Sequence, residues 1–239
     1  MTGSAAARKH GPTRLVRDGV AWMLDYAYAS YWQVQGFLFR VRPGDYLIEG
    51  APKTPVLLIP GVYETWQFLR PIADHLRDAG HPVHVLPTLR RNTGAVPASA
   101  DLVLDRLRAL DLRGVIVVAH SKGGLIGKLA MLRDTDGRIE RMIAVASPFS
   151  GSRYARYIRV RSLRVFSPND PTLREIAAQL EVNARITSIW GSFDPHIPGG
   201  SHLDGATNVR LHGAGHFRII GSRELLDELD RSLAAPPTG

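Results

Sequence analysis

Val115-Ile116-Val117-Val118-Ala119-His120-Ser121-Lys122-Gly123-Gly124 is a β-branched run that stops abruptly at a serine. Ala119 and Gly123 stand two residues to either side of Ser121. A short apolar run bounded by small residues reads as a strand buried on both faces, the form strands take in parallel sheets. Small flanking residues suit a sharp strand–serine–helix turn, because the backbone packs against itself there. Such a turn lifts the hydroxyl above the carboxyl end of the strand and aims the next backbone N–H, that of Lys122, at a bound carbonyl oxygen. This is a nucleophile's position. The plain alternative is a serine capping an ordinary helix.

The rest of the composition sets bounds on that reading. A chain of 239 residues, 44% of them hydrophobic, fits one α/β domain with a sizeable core. Cysteine is absent, which excludes disulfides, thiolate chemistry and cysteine-ligated metals. The formal charge is +8, and lysine stands only at positions 9, 53, 122 and 128, so nearly all cations are arginine. A basic surface suits nucleic acid, anionic lipid or an acidic partner. No arginine–aromatic RNA-binding motif or helix-turn-helix pattern appears, so nucleic acid is set aside. Arg8 and Lys9 precede the apolar run Val20–Leu24, but Asp25 interrupts it too early for a signal-peptide core. No segment approaches the roughly 18–20 apolar residues of a membrane span, so the expectation is a cytoplasmic protein.

Periodicity divides the chain into elements. Residues 1–12 are small, polar and basic and read as a disordered tail. A helix is expected over 13–35, with Val16, Val20, Met23, Ala27, Tyr31 and Val34 as its inner stripe. Strands are expected at Tyr46–Glu49, Pro55–Ile59, Val83–Leu86, Val115–Ala119, Met142–Ala146, Ile186–Trp190 and Asn208–Leu211. Helices are expected near 66–79, over Ser99–Leu110 with Val103, Leu107 and Leu110 inward, and after Ser121. Asp170-Pro171 is an N-cap followed by proline, opening a helix through Leu180, and Ser222 caps a last helix. Strands alternating with helices imply a parallel sheet with right-handed crossovers. Ligands of such sheets bind beyond the carboxyl ends of the strands, where Ser121 lies.

The run Ala119-His120-Ser121-Lys122-Gly123 resembles the Gly-x-Ser-x-Gly elbow of the α/β-hydrolase family, with Ala119 replacing the first glycine by one methyl. That resemblance implies a mostly parallel central sheet flanked by helices, a short cap, and catalytic partners in the order serine, acid, histidine. Ile186–Trp190 runs into Gly191-Ser192-Phe193-Asp194, and Asn208–Leu211 runs into His212-Gly213-Ala214-Gly215-His216. Asp194 and His216 thus stand after successive strands in the required order. His120 is expected to point away from Ser121, His212 to pack at its strand end, Asp170 to cap a helix, and Asp204 to lie in a loop. His196, His202, Asp204 and His212 have no metal-ligand spacing, so neither a metal nor a cofactor is expected. Gly123–Lys128 lacks the glycine and Ser/Thr of a phosphate-binding loop.

Acyl transfer also needs donors for a tetrahedral oxyanion. Lys122 N–H is one. Pro60-Gly61-Val62-Tyr63 resembles the family's His-Gly-x oxyanion loop, which implies Val62 N–H as the second, with Tyr63 next in line. Ala146-Ser147-Pro148-Phe149-Ser150-Gly151-Ser152 resembles the Thr-Pro-x-x-Gly-Ser/Thr segment after the sixth strand of many bacterial lipases. The resemblance spans about residues 55–220 and is to compact lipases and esterases; the first 45 residues match nothing comparable.

The chain therefore divides into the tail, an aromatic helical segment at 13–45, and a hydrolase domain at 46–235 with a cap at about 149–184. The cap region carries Arg153, Arg156, Arg159, Arg161 and Arg164 with Tyr154 and Tyr157 between them. These read as a solvated basic face, or as a rim for anionic head groups or an acidic carrier. A cap this short leaves the serine accessible, which favours a small or single-chain acyl substrate. Trp22, Tyr26, Tyr28, Tyr31, Trp32, Phe37 and Phe39 crowd the N-terminal segment. Docking against the domain body is expected of it; a membrane-interface helix and a dimer contact are the alternatives. The functional expectation is hydrolysis of carboxylic, lipid-like acyl esters by Ser121, His216 and Asp194, with peripheral contact to an anionic membrane surface. An acyltransferase or thioesterase using the same site, and a non-catalytic ligand-binding domain, are the alternatives. Nothing in the sequence assigns an oligomeric state.

Overall fold

The structure is a computed structural model that describes residues 12–39, 41–48, 50–152, 154–155 and 160–235, without the side chains of 12–17 and 161. Readings that fall on the tail before residue 12, on Glu49, Arg153, Arg156, Tyr157 and Arg159, and on the Val16 and Arg161 side chains lie outside what is described. Six strands form one sheet: β1 (Val56–Ile59), β2 (Val83–Val85), β3 (Val115–His120), β4 (Ile139–Val145), β5 (Ile186–Trp190) and β6 (Thr207–Arg210). Their order is β2-β1-β3-β4-β5-β6, and every pairing is parallel. The chain order reverses between β1 and β3, where Ile59 lies opposite Ala119. Loops leaving those two strands diverge and open a crevice at the carboxyl edge.

Alternation along the strands explains the two cores. Leu57, Ile59, Val115, Val117 and Ala119 face one side and pack under α3 (Val96–Ala109), α4 (Lys122–Arg133) and α5 (Pro171–Ala178). Val56, Leu58, Ile116 and Val118 face the other, beneath α2 (Arg70–Asp78) and α6 (Arg223–Ala234). Both faces are covered, which is why these strands read as continuous apolar runs. Asp170 caps α5 by accepting from the N–H groups of Thr172 and Leu173, and Ser222 caps α6 by accepting from Leu225 N–H.

Several expectations are corrected. Pro43–Tyr46 is a 3-10 turn and not the start of a strand, since Pro43-Gly44 and Asp45 favour a turn; Asp45 accepts from Arg42 N–H. Leu110 ends α3 and is exposed instead of facing inward. The N-terminal helix exists and is longer, α1 at Pro12–Leu38, but its inner face is not the expected one. Val20, Met23, Ala27, Tyr31 and Val34 point outward, while Ala21 and Asp25 are buried and Tyr28, Ala29 and Trp32 pack against the core. The helix is apolar on most of its circumference, so spacing alone could not select a face. What selects it is the carboxylate of Asp25, which finds partners inside. No helix among the described residues is long and apolar enough to cross a membrane.

Candidate active site

The turn from β3 into α4 holds Ser121 at φ 51°, ψ −118°. A non-glycine residue in that region is strained, and the strain persists only because both neighbouring elements are locked. The sequence shows how. A Cβ on Gly123 would collide with the Ile59 carbonyl oxygen, and one on Gly124 with the Ser147 side chain. Glycine at both positions lets α4 begin directly against β1 and the loop after β4. Lys122 extends away from the crevice, and its buried Nζ donates to the carbonyls of Asn92 at 2.8 Å and Gly94 at 2.5 Å. Burial pulls that ammonium down to about 8. Its backbone N–H lies in the first turn of α4, where no intrahelical acceptor exists.

Asp194 and His216 come from the loops after β5 and β6. His216 Nε2 lies 3.0 Å from Ser121 Oγ, and His216 Nδ1 lies 2.8 Å from Asp194 Oδ2. The other Asp194 oxygen accepts from the N–H groups of His196 at 2.7 Å and Ile197 at 2.9 Å. All three side chains are nearly buried. Burial pushes the Asp194 carboxyl upward, but the charge and hydrogen bond of His216 and the two backbone donors outweigh it, holding it below its ordinary value. Burial likewise pulls His216 down, while Asp194, with Glu64 and Asp25 behind it, raises it above an ordinary imidazole.

Other candidates are placed elsewhere. His120 does not reach the Ser121 hydroxyl: its Nδ1 faces the buried Glu64 carboxylate at 2.9 Å, and its Nε2 donates to the His216 carbonyl at 3.0 Å. His212 does not pack at its strand end; its side chain is fully exposed and held by Glu224 at 2.8 Å, because the loop turns outward at Gly213. His202 pairs with the exposed Asp204. Among the described residues, no group of three or more His, Asp or Glu side chains is arranged to hold a metal.

The loop after β1 is tied down on both sides. Asn92 Nδ2 donates to the Pro60 carbonyl at 2.7 Å, and Gly61 N–H donates to Glu64 Oε2 at 2.6 Å. Gly61 is therefore spent as a donor. Val62 and Tyr63, which line the same cavity as Ser121, make no backbone N–H hydrogen bond among the described residues, and Tyr63 holds φ at 63°.

Sequence reasoning missed the contribution of α1. Asp25, fully buried, accepts from the backbone N–H groups of His216 at 3.0 Å and of Phe217 and Arg218 at 2.8 Å. Gln33 Nε2 donates to the Tyr63 carbonyl at 3.0 Å. Trp22 and Tyr26 lie with their ring centroids 5.6 Å from that of His196, whose ring lies 4.8 Å from His216. Burial and the charge of His216 pull His196 down to about 4, so it stays neutral beside His216. One helix thus touches the loops of Asp194, His216 and Tyr63. The signal available was Asp25, the one charged residue between Gly19 and Phe39, which must find donors where it is buried.

These groups open into a cavity of about 700 Å³, walled by Trp22 and Tyr26 of α1, Phe68, Leu163, Phe166, Ile197 and Phe217. Tyr63 Oη and Ser162 Oγ, 2.6 Å apart, join the loop after β1 to the segment between β4 and α5.

No family sequence model matches the chain, and no curated protein matches it in sequence. Solved structures do. The mature lipase of Bacillus licheniformis superposes with a TM-score of 0.61 at 15% identity, over 78% of this chain and 94% of its own. A bromoperoxidase from Bacillus anthracis gives 0.61 at 15%, over 77% and 93%. A monoacylglycerol lipase from Paleococcus ferrophilus gives 0.54 at 15%, over 76% and 94%. The parallel sheet, its flanking helices and these likenesses show that the chain has the α/β-hydrolase fold.

Proposed function

We propose that the protein is a serine hydrolase of carboxylic esters carrying a lipid-like acyl chain. The observation that carries this reading is the unbroken line from Asp194 through His216 to Ser121, at 2.8 and 3.0 Å, ending in an apolar cavity. Nε2 of His216 accepts the Ser121 proton as Oγ attacks the ester carbonyl, and Asp194 holds the imidazole in the tautomer with Nδ1–H and stabilises its charge. The oxyanion accepts from Lys122 N–H and from Val62 N–H, Tyr63 N–H being the alternative second donor. One such donor is worth about 2.7–4 kcal/mol of barrier. His216 then protonates the leaving alcohol, and water enters by the reverse route to release the acid.

The cavity supports an apolar acyl group, since its walls are aromatic and aliphatic side chains whose desolvation favours hydrocarbon at roughly 25 cal/mol per Å² buried. Ester turnover of a p-nitrophenyl series of increasing chain length tests the reading. Activity that rises from acetyl towards medium chains and vanishes in Ser121→Ala supports it. Turnover that is equal in Ser121→Ala and wild type refutes it.

A further inference from the structure

Among the described residues, the helix whose inner face holds the site loops leaves its outer face exposed. From Gly19 to Phe39 the chain has one charged residue, Asp25, and that residue is buried. Met23, Tyr31, Val34, Phe37 and Leu38 are each more than half exposed, on a stripe that repeats at helical spacing. An uncharged, aromatic-rich face this long is costly to leave in water. The helix is not apolar enough to cross a bilayer, so an apolar medium can meet it only along its length.

Charge decides between occupants. Phe37 shares the rim of a second cavity with the exposed Arg90 and Arg91, and exposed Arg42 follows the helix. The whole chain carries a net charge of +8. Two copies each carrying that excess repel one another, whereas anionic head groups pair with these arginines. Exposed Trp22 and Tyr26 belong both to this surface and to the wall of the Ser121 cavity, so the bare face and the cavity are continuous.

We infer that the outer face of α1 docks in the plane of an anionic lipid surface, with the aromatic side chains in the head-group–acyl boundary and Arg42, Arg90 and Arg91 on lipid phosphates. Docking there brings the cavity wall to the lipid. Salt weakens the attraction of the arginines, because the screening length falls from about 10 Å at 0.1 M to about 3 Å at 1 M, while the apolar part persists.

Co-sedimentation of the full chain with vesicles tests this without any turnover, so it stands or fails separately from the ester reading. The vesicles are phosphatidylcholine alone, or phosphatidylcholine with one-third phosphatidylglycerol. The wild type should pellet with the anionic vesicles and less so at high salt. A triple variant, Met23→Glu, Tyr31→Glu and Val34→Glu, should lose at least tenfold in partitioning with an unchanged thermal unfolding midpoint. Arg90→Gln with Arg91→Gln should erase the preference for anionic over neutral vesicles. A blue shift and bromolipid quenching of tryptophan emission in the wild type give a reading that needs no variant. Wild type that stays in the supernatant at low salt, or a triple variant that pellets like wild type, overturns the inference. So does a wild-type dimer that the triple variant dissociates while vesicles are ignored.

Discussion

The Asp25 carboxylate accepts hydrogen bonds from three consecutive backbone N–H groups, those of His216, Phe217 and Arg218, across 191 residues of sequence from Asp25 to His216. Hydrogen bonds to a charged group are worth about 1.5–3 kcal/mol each, so this is a firm anchor for the loop that carries the proposed base. Asp25 touches no reacting atom. It acts through His216, as a positioning residue.

Asp25→Asn should therefore lower kcat by about tenfold or more with KM nearly unchanged, because near-attack geometry is lost and the cavity is not. Its charge also contributes to raising His216, so the acidic limb of the kcat/KM profile should move to lower pH. A merely structural residue would reduce the active fraction without moving that limb. The pH profile of the variant decides between the two.

In the proposed mechanism His216 must be neutral to accept the Ser121 proton. Burial opposes its protonation, but Asp194 outweighs burial, and the folded imidazole sits above its ordinary value. Activity should then fall on acidification with a midpoint above that of a free imidazole. Asp194→Asn removes the charge and the tautomer control together; it should shift the limb downward and cost about 10⁴ in kcat.

Gly123 tests the elbow as a packing device. Gly123→Ala places a methyl into the Ile59 carbonyl, backbone against backbone, with no side chain able to yield. The unfolding midpoint in urea should drop by the equivalent of about 1–3 kcal/mol, and activity should fall further than stability does. Full retention of both would mean that α4 does not start where Ile59 fixes it.

Leu163 lines the cavity from the segment between β4 and α5. Leu163→Trp should shorten the preferred acyl chain in a p-nitrophenyl ester series while leaving acetate turnover within about twofold, since uniform apolar binding is what changes. An unaltered chain-length profile would place the acyl group elsewhere.

The sheet and its site edge are legible in the sequence because both are local signals. Val115–Val118 ends in Ser121 between small residues, and Asp194 and His216 follow successive strands at their carboxyl ends. Asp170 and Ser222 declare their helices by capping chemistry. What is not legible depends on partners far away. The face α1 buries is set by three N–H groups near residue 217, not by its own periodicity. Glu64 and His120 join the loop after β1 to the loop of His216, a contact that no spacing announces. Tyr46 read as the start of a strand, yet it is buried at the end of a turn with its hydroxyl on Asp74.

The most direct measurement is labelling of the intact protein with a fluorophosphonate, followed by peptide mapping of the modified residue. Stoichiometric modification of Ser121, absent in Ser121→Ala and slowed by orders of magnitude in His216→Ala, is the expected result. An unlabelled protein, or label carried by another residue and retained in Ser121→Ala, would contradict the assignment of Ser121 as the nucleophile.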